Sequence, residues 1–534
     1  MRSLFKFFTF RFSVRHFLLL LVLFSPITCF PQFNPQTKSI TEKFFPEPEF
    51  ESKTPAFSKT AGFTNYLEMM DWLNKTIKQH SDLVTLSFIG ESQKGKAIPM
   101  VVVSKKNGQP KTKVWMQGGL HGDEPAGTEA MLHLIDRLLN DPKFADYLAN
   151  LEIAIVPMAN IDGYEKQQRA AADGMDLNRD QTRLKARESL SLKAAFSGFQ
   201  PAVALDFHEY RPYRKDFTKM GRAGITSRYD AMFLYSGNLN VPKVLRDFTR
   251  NTFVKNAQKV LDENQLTNHE YVTTQKYGSQ VHFNLGSVHS RSSATNFALS
   301  NCVSTLLEIR GVGIGRNSFK RRVKASFLIA LSYLETTLKE KDQLKKVLAE
   351  SEKARIPVVV TSEKLTRKDS LLVIDLASEK EVKLGFTIHD ALQSKAVLQR
   401  DRPTAYLISA NEKQAAFRLK ILGIKVDSLS TEKELEVETY QGENPSTEET
   451  YPKTGQDVEE ESESNKASSL TKITRQKFPP GTYFIDLEQP RSHLACEVLE
   501  PENANGFVEM KVIKPDQNQQ ISIYRYMKSE KLTP

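Results

Sequence analysis

Residues 121–124 read His121-Gly-Asp-Glu124. An imidazole and a carboxylate three positions apart, at a turn from strand to helix, can point the same way. Zinc accepts both kinds of ligand at about 2.0–2.2 Å, and a catalytic zinc site needs a third protein ligand with one position left open. His208, in Leu205-Asp-Phe-His-Glu-Tyr210, follows a strongly apolar run and offers that third ligand. Each feature also has a plainer reading. Most H-x-x-E tetrads arise by chance. Glu124 could be a helix-start acid favoured by the dipole. A lone histidine is more often structural, but less so where two candidate ligands already stand in an equivalent place.

More residues of chemical interest follow in order: Asn160-Ile-Asp-Gly-Tyr164, then Arg169, then Gly174-Met-Asp-Leu-Asn-Arg-Asp180, and Glu308 in Leu306-Leu-Glu-Ile-Arg-Gly311. Taken together, His121-x-x-Glu124, the N-x-D-G run, Asp176-Leu-Asn178-Arg179, His208 and a strand glutamate at 308 resemble the zinc carboxypeptidase family, peptidase family M14, over roughly residues 60–340. The motifs are loose singly and specific jointly. The tail (Arg402-Pro-Thr-Ala-Tyr-Leu-Ile408, and Leu499-Glu-Pro501 before Tyr524-Arg525) is similar to that of bacterial secreted relatives with a C-terminal accessory region.

The resemblance implies one Zn²⁺ per chain, held by His121, Glu124 and His208, and a peptidase that trims substrates from the C-terminus. It makes Glu308 the general base for the zinc-bound water, passing the proton to the leaving amine. The plain reading of Glu308 is a strand-end salt bridge with Arg310 or Arg316, though an acid in so apolar a strand needs a reason. Arg169 matches the residue that stabilises the oxyanion. Asn178 and Arg179 match the pair that grips the substrate's terminal carboxylate, which a guanidinium can bind with two parallel hydrogen bonds. Asp176 matches an acid that orients His121.

The partner is thus a peptide or amide bearing a free carboxylate. A cell-wall peptide amidase or an N-acyl amino acid deacylase could use the same site, and a non-catalytic binding module could keep the same fold. Two acids depart from the pattern: Asp180 and Glu209 would either bias the pocket toward a cationic substrate or pair with Arg211, Arg214 or Arg310. Tyr277 is the candidate for a tyrosine that closes on substrate, and a packing role suits it better. His282 and His289 read as pocket or structural residues.

The elements that must position these residues alternate between strand and helix. Leu83–Ile89, Ile98–Ser104, Lys113–Leu120, Leu151–Met158, Ala202–Phe207 and Val303–Ile309 read as strands. Asn65–His80 reads as a helix with Leu67, Met70, Leu73 and Ile77 on one face. Glu124–Leu139, Lys243–Asp262 and a long stretch near Ser318–Glu350 also read as helices. The alternation predicts an α/β fold: a mixed, mainly parallel central sheet flanked by helices, with ligands bound beyond the strands' carboxyl ends. The catalytic domain is expected over 61–350.

Residues 355–534 are expected to form a smaller α+β domain, with strands at 357–361, 370–376, 404–408, 481–487, 506–513 and 520–526 and a helix near 411–422. An acidic, Ser/Glu-rich run over 442–468 is expected to be a disordered loop. At the other end, a basic stretch and the apolar run Phe17–Phe24 read as a signal peptide over 1–30, followed by an irregular lead-in over 31–60. That predicts an exported, periplasmic or extracellular protein with no stable membrane span after signal removal. An uncleaved anchor, or lipid on Cys29, are the alternatives. Three cysteines in 534 residues exclude a disulfide scaffold. The charge of +10 falls to +6 without the four basic residues Arg2, Lys6, Arg11 and Arg15, and no basic stripe argues for nucleic acid.

Overall fold

The computed structural model describes residues 37–277, 280–442 and 468–533. The expected signal peptide, Cys29, the start of the lead-in and the acidic run at 443–467 lie outside them, as does the side chain of Tyr277.

The main sheet has eight strands: β1 (Val84–Glu91), β2 (Ala97–Val103), β3 (Thr112–Gly118), β4 (Leu151–Val156), β5 (Val203–Tyr210), β6 (Ala231–Leu234), β7 (Asn268–Glu270) and β8 (Val303–Arg310). They lie in the order β1-β2-β4-β3-β5-β8-β6-β7. The central run β4-β3-β5-β8 is parallel, with antiparallel pairs at β1-β2, β2-β4 and β8-β6. The mixed, centrally parallel α/β sheet is as expected. Its inner strands are near-continuous runs of buried apolar side chains, such as Leu151–Val156, because both faces are covered.

The helices that matter to the site are α1 (Tyr66–Gln79), α2 (Pro125–Asn140), α3 (Arg187–Phe199), α4 (Ser293–Leu299) and α5 (Phe319–Lys339). Helix α1 starts at a capping box between Asn65 and Glu68. Its buried face is Met69, Leu73 and Thr76, whereas Leu67 is 74% exposed. At about 100° per residue Leu67 stands some 120° round from Leu73, too far to share its stripe. The long helix expected to 350 breaks at Glu340, and a second helix, Lys341–Lys353, turns to bury Leu344 and Val347.

Beyond residue 355 two strands, Val358–Asp375 and Lys380–Arg400, pair as a long ribbon. The second was missed because its residues alternate between solvent and a narrow apolar face. The ribbon joins strands Ile225–Ser227, Gln280–Leu285 and Val272–Tyr277 in a five-stranded sheet, so its hydrogen bonding crosses the expected boundary at 355. A six-stranded sheet holds the rest of the tail. Residues 506–513 form turns instead of the expected strand, since Phe507 N–H bonds back to Val498 and its carbonyl accepts from Val512 and Ile513. The apolar core runs without a gap from Trp115 and Phe196 to Tyr406, Leu494 and Cys496 of the tail. Cys302 and Cys496 are buried free thiols.

Candidate active site

Strand β3 ends in Gly118-Gly119. Gly119 has φ +66°, which a side chain adopts only with strain. A Cβ at Gly122 would fall 2.0 Å from the carbonyl carbon of Gly163. These two positions let the loop carrying His121 and Glu124 lie flat against the Asn160–Tyr164 turn. Asn160 holds that turn: its Oδ1 accepts from Gly163 N–H at 3.0 Å and its Nδ2 donates to Arg169 O at 3.3 Å. The N-x-D-G run is therefore a scaffold that presents Arg169.

Glu124 occupies the N-cap of α2 but makes no capping hydrogen bond. Its carboxylate instead faces the histidines. Glu124 Oε1 lies 2.8 Å from His121 Nδ1, Oε2 lies 2.7 Å from His208 Nδ1, and the two Nδ1 atoms are 2.9 Å apart. Glu124 Oε2 also accepts from Glu209 N–H at 3.1 Å. All three side chains are buried, and each offers an atom within 4.8 Å of the others'. Two imidazole nitrogens and one carboxylate turned toward one point, away from water, form a donor set that suits zinc. Among the described residues no other group of three such side chains comes together.

Electrostatics point the same way. Burial would raise the pKa of Glu124, but His121 and His208 outweigh it and hold the carboxyl far below its ordinary range. Burial and Arg169 oppose charge on His121, yet Glu124 and Asp176 leave its pKa raised. Burial likewise opposes charge on His208, and Asp206 and Glu124 carry its pKa well above the ordinary value. So many acids around two imidazoles favour positive charge there, which a proton or a cation can supply.

Asp176 reaches His121 from outside, with Oδ1 2.9 Å from Nε2. Arg169 donates to Asp176 Oδ2 at 3.0 Å from Nε and lies 2.9 Å from it through a second nitrogen, with a third 3.5 Å from Glu124 Oε1. Burial would raise the Asp176 pKa, but Arg169 and His121 hold it well below the usual carboxylate range. Asn178 is buried, and its Oδ1 accepts from Ser293 N–H at 2.8 Å. Arg179 is partly exposed and donates to Asn178 O at 3.1 Å.

Glu308 sits on β8 in direct register with His208 on β5, so the two side chains share a face. It keeps some exposure, yet its surroundings still penalise its charge. Burial, then the negative charge of Glu124, push it up to about 8. Arg310 turns to Thr226, 2.8 Å away, and to the Phe45 ring; Arg316 turns to the carbonyls of Ala56 and Gly62.

Both departing acids are buried against partners of their own. Glu209 is buried, 2.7 Å from Arg322 Nε, and accepts from Ala126 N–H at 3.0 Å. Asp180 is buried and accepts from the backbone of Lys185 and Ala186 at 2.8–3.0 Å. His282 stacks on His389, with ring nitrogens 3.0 Å apart, in the ribbon sheet. His289 is buried enough to have its pKa well below the ordinary value, through burial first and then Arg291.

Two residues escaped the sequence reading. Lys193 of α3 is fully buried, with Nζ 2.8 Å from Asn296 Oδ1 and over the Phe297 ring. Asp206, two residues before His208 and so on the same face of β5, has Oδ2 2.9 Å from His208 Nε2. The signal was visible as an acid inside the apolar run Val-Ala-Leu-Asp-Phe.

Comparison with known proteins finds similarity to carboxypeptidases. A family model described as zinc carboxypeptidase matches residues 69–202. "Carboxypeptidase 2" of Trichophyton rubrum is 27% identical over 499 residues, covering 87% of this chain and 87% of that protein. "Probable carboxypeptidase 2" of Arthroderma benhamiae is 29% identical over 384 residues, covering 69% and 72%. A solved metallo-carboxypeptidase from Burkholderia cenocepacia overlaps 52% of this chain and 70% of its own, with 18% identity and a TM-score of 0.41. The two relatives are fungal and lend no support to the bacterial type expected from the tail.

Proposed function

We propose that this chain is a metallocarboxypeptidase of the zinc carboxypeptidase family that removes residues one at a time from the free C-terminus of peptides, using a single zinc. The observation that carries the reading is the convergence of His121, Glu124 and His208 on one point, with Glu308 beside them in register on the next strand.

His121 Nδ1, His208 Nδ1 and a Glu124 oxygen would hold the metal. Bound there, zinc supplies a Lewis acid that polarises a carbonyl oxygen and brings the pKa of a coordinated water to about 7. The remaining work falls to the protein's own groups. Glu308 takes a proton from the attacking water at a carboxylate oxygen and delivers it to the nitrogen of the leaving amine. Its shared face with His208 supports that role, because proton acceptor and metal ligands then flank the same scissile bond. Arg169 offers guanidinium N–H groups to the oxygen that gains charge, and its anchoring by Asp176 keeps it oriented. Arg179 and the free Nδ2 face of Asn178 bind the substrate carboxylate, which restricts cleavage to the last peptide bond.

Among the described residues no helix is long and apolar enough to cross a membrane. We place the activity outside the cytoplasm on the N-terminal sequence pattern. The test is direct. Purified protein loaded with zinc is offered matched peptides with free and amidated C-termini. Release of terminal residues from the free forms alone, abolished by a chelator and restored by zinc, is the expected result. Internal cleavage, or equal rates on amidated peptides, would overturn the exopeptidase assignment. Zinc binding without hydrolysis would favour a binding module.

A further inference from the structure

Each histidine of the triad has a carboxylate behind it. His121 presents Nδ1 to Glu124 and has Asp176 Oδ1 2.9 Å from Nε2. His208 presents Nδ1 to Glu124 and has Asp206 Oδ2 2.9 Å from Nε2, on a line bent from the ring N–H. Asp176 belongs to a motif; Asp206 belongs to none. It is 1% exposed, and only one other side chain, Ser293, bonds it: Oγ donates to Oδ2 at 2.6 Å. Its second oxygen, Oδ1, is buried without a hydrogen-bond partner.

A carboxylate so placed is costly as a purely structural group. One neutral hydroxyl does not offset the loss of water around a buried charge, and the compensating groups near Asp206 are the His208 ring and the buried Lys193. Asparagine would fill the space without that cost. An imidazole whose Nδ1 faces a cation adds to that compensation, because its polarised Nε2–H then lies beside Asp206.

The contacts continue to the substrate end of the site. Ser293, whose hydroxyl holds Asp206, donates its backbone N–H to Asn178 Oδ1 at 2.8 Å. Asp176 Oδ1 in turn accepts from Asn178 N–H at 2.8 Å. Asn178 is thus held from two sides, by its backbone toward the carboxylate behind His121 and by its side-chain oxygen toward the carboxylate behind His208. Fixing Oδ1 leaves Nδ2 as the group able to meet a substrate.

We propose that Asp206 and Ser293 are a positioning pair, Asp206 fixing the tautomer and orientation of His208 and Ser293 coupling that histidine to Asn178, so that metal site and carboxylate grip are aligned together. This rests on the zinc carboxypeptidase reading given above. Carboxylates behind metal-binding histidines typically account for about 10–100-fold in metal affinity.

The full chain is compared as wild type, Asp206→Asn, Asp206→Ala, Ser293→Ala and Ser293→Thr. Zinc affinity is measured by competition with a chromophoric chelator, ligand geometry by the visible absorption of the cobalt-substituted protein, and kcat and KM on a free-C-terminus peptide. Asp206→Ala is expected to weaken zinc about 10–100-fold and to shift the cobalt bands. Asp206→Asn, near-isosteric and able to accept from Nε2–H, loses less and carries the test if the alanine variant does not fold. Ser293→Ala raises KM several-fold with little change in zinc affinity, and Ser293→Thr restores KM. Wild-type zinc affinity and cobalt spectrum in both Asp206 variants would overturn the role of Asp206. An unchanged KM in Ser293→Ala would overturn the coupling. Absence of zinc binding by the wild type itself would overturn the family reading along with the pair.

Discussion

Replacing Glu308 with glutamine separates proton transfer from metal binding. The substitution keeps shape and volume but removes the carboxylate that stands in direct register with His208. General acid–base catalysis contributes about 10²–10⁴-fold, or roughly 2.7–5.5 kcal/mol at 1.36 kcal/mol per decade. Because Glu308 stands outside the three-residue donor group, zinc content should stay at the wild-type level. The pH profile gives a second readout. Glu308 serves only when ionised, and burial followed by the charge of Glu124 pushes it up to about 8 in the metal-free protein. A dication at the triad favours the carboxylate, so in the loaded enzyme the acid limb of kcat/KM should have its midpoint below that value. Activity rises with pH through this limb in the wild type, and the limb disappears in Glu308→Gln. The assay is kcat/KM from pH 4 to 9, roughly the span of the shift, alongside metal analysis of each protein. A variant with full zinc and activity within a few-fold of wild type would refute the assignment of Glu308.

Other outcomes follow from the same geometry. Arg179→Lys should raise KM for free-C-terminus peptides about tenfold, since an ammonium cannot make the paired bonds of a guanidinium; steady-state kinetics decide it. Glu209→Ala should leave the preference among terminal residues unchanged but lower thermal stability, because breaking a buried ion pair such as Glu209–Arg322 costs about 3–5 kcal/mol. Calorimetry with a peptide panel separates the two readings. In the metal-free protein the pKa values of His121 and His208 are raised, by carboxylates that outweigh burial, so zinc must displace protons. Apparent zinc affinity should therefore fall as pH drops through and below those raised values. Flat affinity between pH 8 and 6, roughly the range of an ordinary or raised imidazole, would contradict the assignment.

The three residues of the possible metal site were legible because chemistry constrains residue type and chain order together. His121, Glu124 and His208 sit where strand-to-helix connections at the carboxyl ends of a parallel sheet must place ligands. The apolar runs of β3, β4, β5 and β8 likewise announced buried parallel strands, since strands covered on both faces have no polar side to show. Short-range patterns were less informative wherever polar residues alternate. The Lys380–Arg400 strand has one narrow apolar face and reads as loop, and its partner was seen only as fragments.

Other facts were settled only by the folded chain. Whether Glu209 and Asp180 face a substrate or a private partner depends on Arg322 and on the backbone at 185–186, which spacing does not reveal. That Asp206 lies behind His208, and Ser293 between Asp206 and Asn178, depends on strand register and on α4 reaching across from residue 293. Sequence by itself carried the identities of the donors and the period of the strands that bear them, because those are local. Tertiary structure decided partners, since a hydrogen bond or ion pair between residues nearly ninety positions apart exists only once the sheet has set their distance.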